Sequence, residues 1–282
     1  MKILLLTALF LFTGGRTLFG RPNAAAAVSP NAVAATRSGA AATDLPAERR
    51  PDRDPVWQEA LADGSLDMRV FGRYARDERR YRTLAERFER ADTTLRGSDL
   101  FILYYGHAYR NAYDGGYAAQ PWRESMAKKQ YDKAYAQVRK ALQQAPATPH
   151  LLNDAIRIAR ALGRPDEEIR NLAWRRNILL IWICASGDGT AEHPFVVVNT
   201  QDEYTLAYGL LRVREVRSQT PEPRGTTFCD RLEIEPVDNE LFSGSEIWFD
   251  CTYPLPIPAE PHKWAKELRD ETGAETPSHE EN

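Results

Sequence analysis

Cysteine is scarce, three in 282 residues, which excludes a disulfide-stapled scaffold and a multi-cysteine zinc module. None precedes Cys184, so a lipid-modified N-terminal cysteine is excluded as well. No uncharged run reaches the ~18–20 residues of a spanning helix. Excess positive charge is missing: 37 Lys and Arg stand against 40 Asp and Glu, net −3. No bulk attraction to nucleic acid is therefore expected. G-x-S-x-G, H-E-x-x-H and G-x-G-x-x-G are all absent, and no motif implies a cofactor. What is present is ordinary globular composition, 43% hydrophobic and 27% charged, at a length that suits one or two domains.

The N-terminus reads as an export signal. Met1-Lys2 is a short positive start, and Ile3 to Phe12 is an uncharged run of ten residues. That length fits a signal-peptide core and is too short to span. Ala24 to Ala27 satisfy an A-x-A cleavage rule, giving a signal peptide over 1–26; a cut near Gly20 and an uncleaved tether are the alternatives. Residues 27–55 are Ala- and Pro-rich and hold no aromatic, so they are expected to be a disordered linker.

From Trp57 the apolar spacing is helical. Tyr81, Leu84, Ala85 and Phe88 follow i, i+3, i+4, i+7, and so do Phe101, Tyr104, Tyr105 and Ala108 behind the capping candidates Ser98 and Asp99. Tyr131, Tyr135, Val138 and Leu142 line a third helix. Leu152, Ala155, Ile156, Ala159 and Leu162 line a fourth, with Gly163 suited to its C′ position. Asp166-Glu167-Glu168 opens the last helix, which runs through Ile183. The stretch Tyr131 to Trp182 resembles a tetratricopeptide array on Ala134, Val138, Ala141, Pro146, Leu152, Ala155, Ala159 and Gly163. It holds too few repeats for a free solenoid, and two ordinary helix pairs explain it equally well.

Beyond Cys184 the pattern turns to strands. Pro194 to Val198, Leu211 to Ser218, the face Phe228, Leu232, Ile234 (with Asp230 as its exception) and Ile247, Phe249, Cys251 read as four. Asp202 to Leu206 starts a short helix. Turn residues at Asp238-Asn239 and Ser243 to Ser245 predict a hairpin between the last two strands. Residues 56–183 carry 22 basic and 16 acidic residues, net +6; residues 184–258 carry 5 and 13, net −8. The halves are expected to dock, which would cover the helical stripes. Residues 56–258 thus form one unit, followed by an acidic tail, 259–282, in which Trp264 and Leu268 alone offer packing.

The hairpin bears on the cysteines. If Leu232 faces Phe249 and Ile234 faces Ile247, Cys229 and Cys251 point to opposite sides of the sheet. A bridge needs a one-residue slip that turns Arg231 and Glu233 inward. Apolar alternation favours the first register. Cys184 reads as a buried thiol.

Chemistry-bearing patterns are weak. Ser186-Gly187-Asp188-Gly189-Thr190 fits a structural turn; an anion on its N–H groups or a cation on Asp188 is the alternative. Glu192, His193, Asp202 and Glu203 with Asp188 could form an acid–base cluster, but no His/Glu pair sits at i, i+3 or i+4, so no metal is expected. Tyr104-Tyr105-Gly106-His107-Ala108-Tyr109, with Tyr113 and Tyr117 beyond, is the densest aromatic segment. It suits a helix core, with Gly106 permitting close approach, or a contact patch for peptides, glycans or proteins.

Asp92-Thr93-Thr94-Leu95, Leu103 to Tyr109, Ser186 to Gly189, Asp202-Glu203-Tyr204, Cys229-Asp230 and Ile247 to Asp250, in that order, resemble the family catalogued as domain of unknown function 4919, across Trp57 to Cys251. The resemblance implies export in Gram-negative bacteria and a single compact unit, and supplies no catalytic residue. The long linker and acidic tail depart from that family's usual pattern. The expectation is an α+β fold: helices, with tetratricopeptide-like pairs, packed on a small, mostly antiparallel sheet. The expected function is a non-catalytic binding or assembly module of the periplasm or cell envelope, with a protein or peptide partner. It would bind through Tyr104, Tyr105, His107, Tyr109, Ser186, Asp188, Asp202 and Glu203. The alternative is a hydrolase-like or metal-assisted enzyme using Asp188, His193 and Glu203.

Overall fold

The computed structural model describes residues 54–61, 66–110, 120–224 and 227–252. The export signal, nearly all of the linker, the acidic tail with Trp264 and Leu268, and Tyr113 and Tyr117 lie outside these residues.

Carboxylates set the first helix starts. Asp54 accepts from the Val56 N–H at 3.1 Å and starts α1 (Pro55–Ala60), so the last two linker residues already belong to the fold. Asp67 starts α2 (Met68–Ala75) and Asp77 starts α3 (Glu78–Glu89) in the same way. In α4 (Gly97–Tyr104) the expected caps Ser98 and Asp99 instead lie inside the first turn, where Asp99 accepts from the Arg96 N–H at 3.0 Å. The α4 helix is buried on all sides from Ser98 to Tyr104 and stops there. The expected run to Ala108 tightens into a 3-10 turn, Gly106–Tyr109. A Cβ on Gly106 would lie 2.6 Å from the Ala75 Cβ and 2.9 Å from the Phe71 carbonyl oxygen, so glycine is what lets this turn touch α2.

Then come α5 (Pro121–Ala127), α6 (Tyr131–Gln144), α7 (Pro149–Ala161) and α8 (Asp166–Cys184). Their buried faces are the expected stripes, among them Ala134, Val138 and Leu142, then Leu152, Ala155 and Ala159. Gly163 has the left-handed φ of +63° that a helix C′ residue needs.

Four strands form one sheet in the order β1-β4-β3-β2. β1 (Phe195–Val196) runs parallel to β4 (Ser243–Asp250); β3 (Thr227–Asp238) is antiparallel to both β4 and β2 (Val216–Arg224). Between β1 and β2 the chain makes α9 (Thr200–Gly209). The second strand lies later than its alternation suggests. Leu211 and Val213 are buried ahead of it, and Arg212, at a φ of +63°, breaks the extended backbone. Pro221 and Pro223 sit inside β2, which tolerates them as an edge strand. The hairpin loop is 239–242, closed by Asn239 Oδ1 on the Leu241 and Phe242 N–H groups; Ser243 to Ser245 belong to β4.

The β3–β4 register departs from expectation by two residues: Leu232 faces Ile247 and Asp230 faces Phe249, with an irregularity between Glu233 and Val237. A shift of two preserves which face each side chain occupies. Cys229 faces Asp250 while Cys251 stands one residue on, on the opposite face, and none of the three cysteines is in a disulfide.

Helices and sheet share one core, from Phe71, Phe101 and Leu152 to Phe195, Leu232 and Phe249. The halves dock as expected, but not through their opposite charge. Among the close pairs of titratable groups in the described residues, the contact of His150 Nδ1 with Asp202 joins them. The rest, such as Arg231 with Glu222, Glu233 and Glu246, stay within one half. Buried apolar area drives the contact.

Candidate functional site

The polar centre of the molecule is the first turn of α9. Asn199 Oδ1 accepts from the Gln201 N–H at 2.8 Å, and Asp202 and Glu203 follow where the helix dipole favours acids. Neighbouring helix positions point about 100° apart, so the two carboxyls face different layers. Both are fully buried.

Asp202 faces the helices. Its Oδ2 accepts from the Tyr104 hydroxyl at 3.0 Å, and its Oδ1 from the His150 N–H at 3.0 Å and His150 Nδ1 at 2.9 Å. A carboxylate accepts only, so Nδ1 carries the proton. Burial and the nearby Asp202 push the Tyr104 hydroxyl well above its ordinary range, which keeps it a donor. That oxygen also accepts from the Val198 N–H at 3.3 Å.

Glu203 faces the sheet. The Cys251 thiol donates to its Oε1 at 3.0 Å. Gln219 Nε2 donates to Glu203 Oε2 at 3.4 Å and to Asp230 Oδ2 at 2.6 Å, and the Tyr204 hydroxyl donates to Gln219 Oε1. Burial, then the charge of Asp230, pushes the Glu203 carboxyl well upward; burial also raises Asp230. Glu203 therefore holds a proton that it shares with Asp230. Burial likewise keeps Cys251 a thiol. Ligand atoms of Glu203, Asp230 and Cys251 all lie within 4.8 Å of one another, so among the described residues these three could together hold a metal ion, at the loss of their protons. Asp230, the polar exception on an apolar strand face, was the sequence signal for this cluster. His150 and Gln219 carried none.

The other expected site residues lie elsewhere. Asp188 Oδ1 accepts from the Thr190 N–H at 3.0 Å and its hydroxyl at 2.6 Å. The His193 carbonyl takes the Asp188 and Gly189 N–H groups, and Ser186 bridges the Ile183 carbonyl to the Val196 N–H. The loop thus spends its donors on itself, as a structural turn does. His193 is exposed and Glu203 is enclosed, and neither Asp188 nor His193 belongs to the cluster around Glu203. Tyr104 and Tyr105 are core, the latter donating to the Val196 carbonyl at 3.0 Å. Tyr109 packs where a Cβ on Gly72 would be, and His107 stacks on Tyr81. The aromatic segment therefore joins layers rather than facing solvent as a patch.

Among the described residues, a cleft of about 580 Å³ opens between α3, α6 and α8. Leu172 and Arg175 line it from α8, Arg139 from α6, and Glu86 and Glu89 from α3. Nothing in the amphipathic pattern set Arg175 apart from its neighbours as a buried charge.

A family model described as Domain of unknown function (DUF4919) matches residues 74–256, more than half of the chain. The match gives no support to the tetratricopeptide likeness of Tyr131 to Trp182. No curated protein and no solved structure matches the chain.

Proposed function

The chain belongs to the DUF4919 family, and on that premise we propose that it is an exported, non-catalytic binding module of the bacterial cell envelope. The observation that carries this reading is the open, charged cleft between α3, α6 and α8, whose volume lies in the ~300–1,000 Å³ range of ligand sites. The acid cluster at Glu203, by contrast, is enclosed and bonded to itself, a joint between layers. Export rests on the Met1 to Phe12 pattern. Among the described residues no helix is long and apolar enough to cross a membrane. The partner is a peptide or protein that reaches the cleft.

The test is fractionation with cross-linking in a Gram-negative host. The full chain is expected in the periplasmic fraction, shortened at its N-terminus, and deletion of residues 1–26 is expected to retain it in the cytoplasm. A photo-cross-linking residue at Arg139 is expected to trap a partner that the same residue at Glu246, on the sheet, does not. Cytoplasmic full-length protein, or equal trapping at both positions, overturns the reading.

A further inference from the structure

Among the described residues, Arg175 is a buried charge left incompletely matched. It is 2% exposed. One hydrogen bond ties it down, from Nη2 to the Pro146 carbonyl at 3.1 Å, and its Cζ lies 5.0 Å from the centre of the Phe88 ring. Its Nε is buried and donates to nothing among the described residues. No carboxylate among the described residues approaches within 4.0 Å. Burial lowers its pKa to about 10, which leaves it charged at neutral pH, while Glu89 favours the charge from a longer distance. Leaving a buried ion without a partner costs several kcal/mol, and apolar residues of similar volume would fill the space without that cost.

The guanidinium lines the cleft between α3, α6 and α8. The cleft above it is walled by four glutamates and three arginines. That wall carries one more acid than base, so an anion alone is repelled, a dianion most. A singly charged carboxylate fits the planar fork of one guanidinium in bidentate fashion, and a cationic group on the same ligand suits the exposed carboxylates of Glu86 and Glu89. We propose that the cleft binds the free C-terminal carboxylate of a short peptide that also carries a basic residue, with the carboxylate seated on Arg175 and Arg139. This assignment rests on the binding-module reading above and names its ligand class.

The test is calorimetric titration of the exported chain with Lys-Ala-Ala as the free acid, with its C-terminal amide, and with inorganic phosphate. The free acid is expected to bind at least tenfold more tightly than the amide and more tightly than phosphate. Arg139→Ala, an exposed change, is expected to weaken the free acid severalfold. Arg175→Met is expected to fold, because an apolar side chain relieves the buried charge, and to lose the preference for acid over amide. Equal binding of acid and amide, tighter binding of phosphate, or no effect of Arg139→Ala overturns the proposal. An Arg175→Met chain that fails to fold assigns the guanidinium to the scaffold and also overturns it. If cross-linking at Arg139 still traps a partner while acid and amide bind alike, the module reading stands and this ligand falls; if neither binding nor trapping occurs, both fall.

Discussion

Glu203 shows how two neighbouring acids divide their work. Asp202 keeps three donors and stays a helix-facing acceptor, whereas Glu203 meets a carboxyl, a thiol and an amide in a buried setting. Its carboxyl is protonated when folded and released in the unfolded chain above its ordinary value near 4.5. Above that pH the folded state binds more protons than the unfolded one. The stability tied to this proton is therefore full at acid pH and drains as pH climbs toward the raised folded value. Glu203→Gln keeps the shape and discards the proton. Relative to the parent, its melting midpoint is expected to rise as pH climbs above the ordinary carboxyl value near 4.5, read by thermal denaturation across a pH series; an offset that stays constant with pH would refute the shared proton.

Beside the paired strands and the packed helices α7 and α8, two close approaches between elements depend on glycine. The 3-10 turn Gly106–Tyr109 lies on α2 because position 106 has no side chain. Gly97 plays the same part for the Trp182 ring, which stands 2.4 Å from where its Cβ would be. Gly106→Val is expected to cost at least ~1–3 kcal/mol through overpacking, measured by urea unfolding, because the Phe71 backbone cannot yield as a flexible side chain would. Gly163→Ala meets open space but a φ of +63°, so its smaller cost is backbone strain alone.

At the scale of the whole molecule the two compositionally opposite halves behave as one body. Phe101 and Trp182 of the helices and Phe195 and Phe249 of the sheet belong to the same packed cluster, and the ion pairs stay largely on their own sides. Phe249→Ala is expected to destabilise by ~3–5 kcal/mol. The loss should appear equally in helix-sensitive far-UV dichroism and in near-UV aromatic signals, with little dependence on salt. Separate transitions for the two signals, or strong salt dependence, would show halves held by charge.

The succession of a helical half and a strand-rich half, the amphipathic faces of α6 and α7, the C′ glycine at 163 and the separation of Cys229 from Cys251 were legible in the sequence, whereas α1, α2 and α5 were not singled out. Each legible feature rests on periodicity or on the local conformational demand of a residue type. Parity in particular survives a two-residue slip, so the cysteines were placed on opposite faces even though the register itself shifted. The end of α4, the late start of β2 and the gathering of His150, Gln219 and Cys251 around the first turn of α9 were decided by tertiary packing. Spacing along a chain reports the face on which a side chain sits, whereas the partner across that face, and whether a charge such as that of Arg175 ends up buried, depend on which surfaces meet.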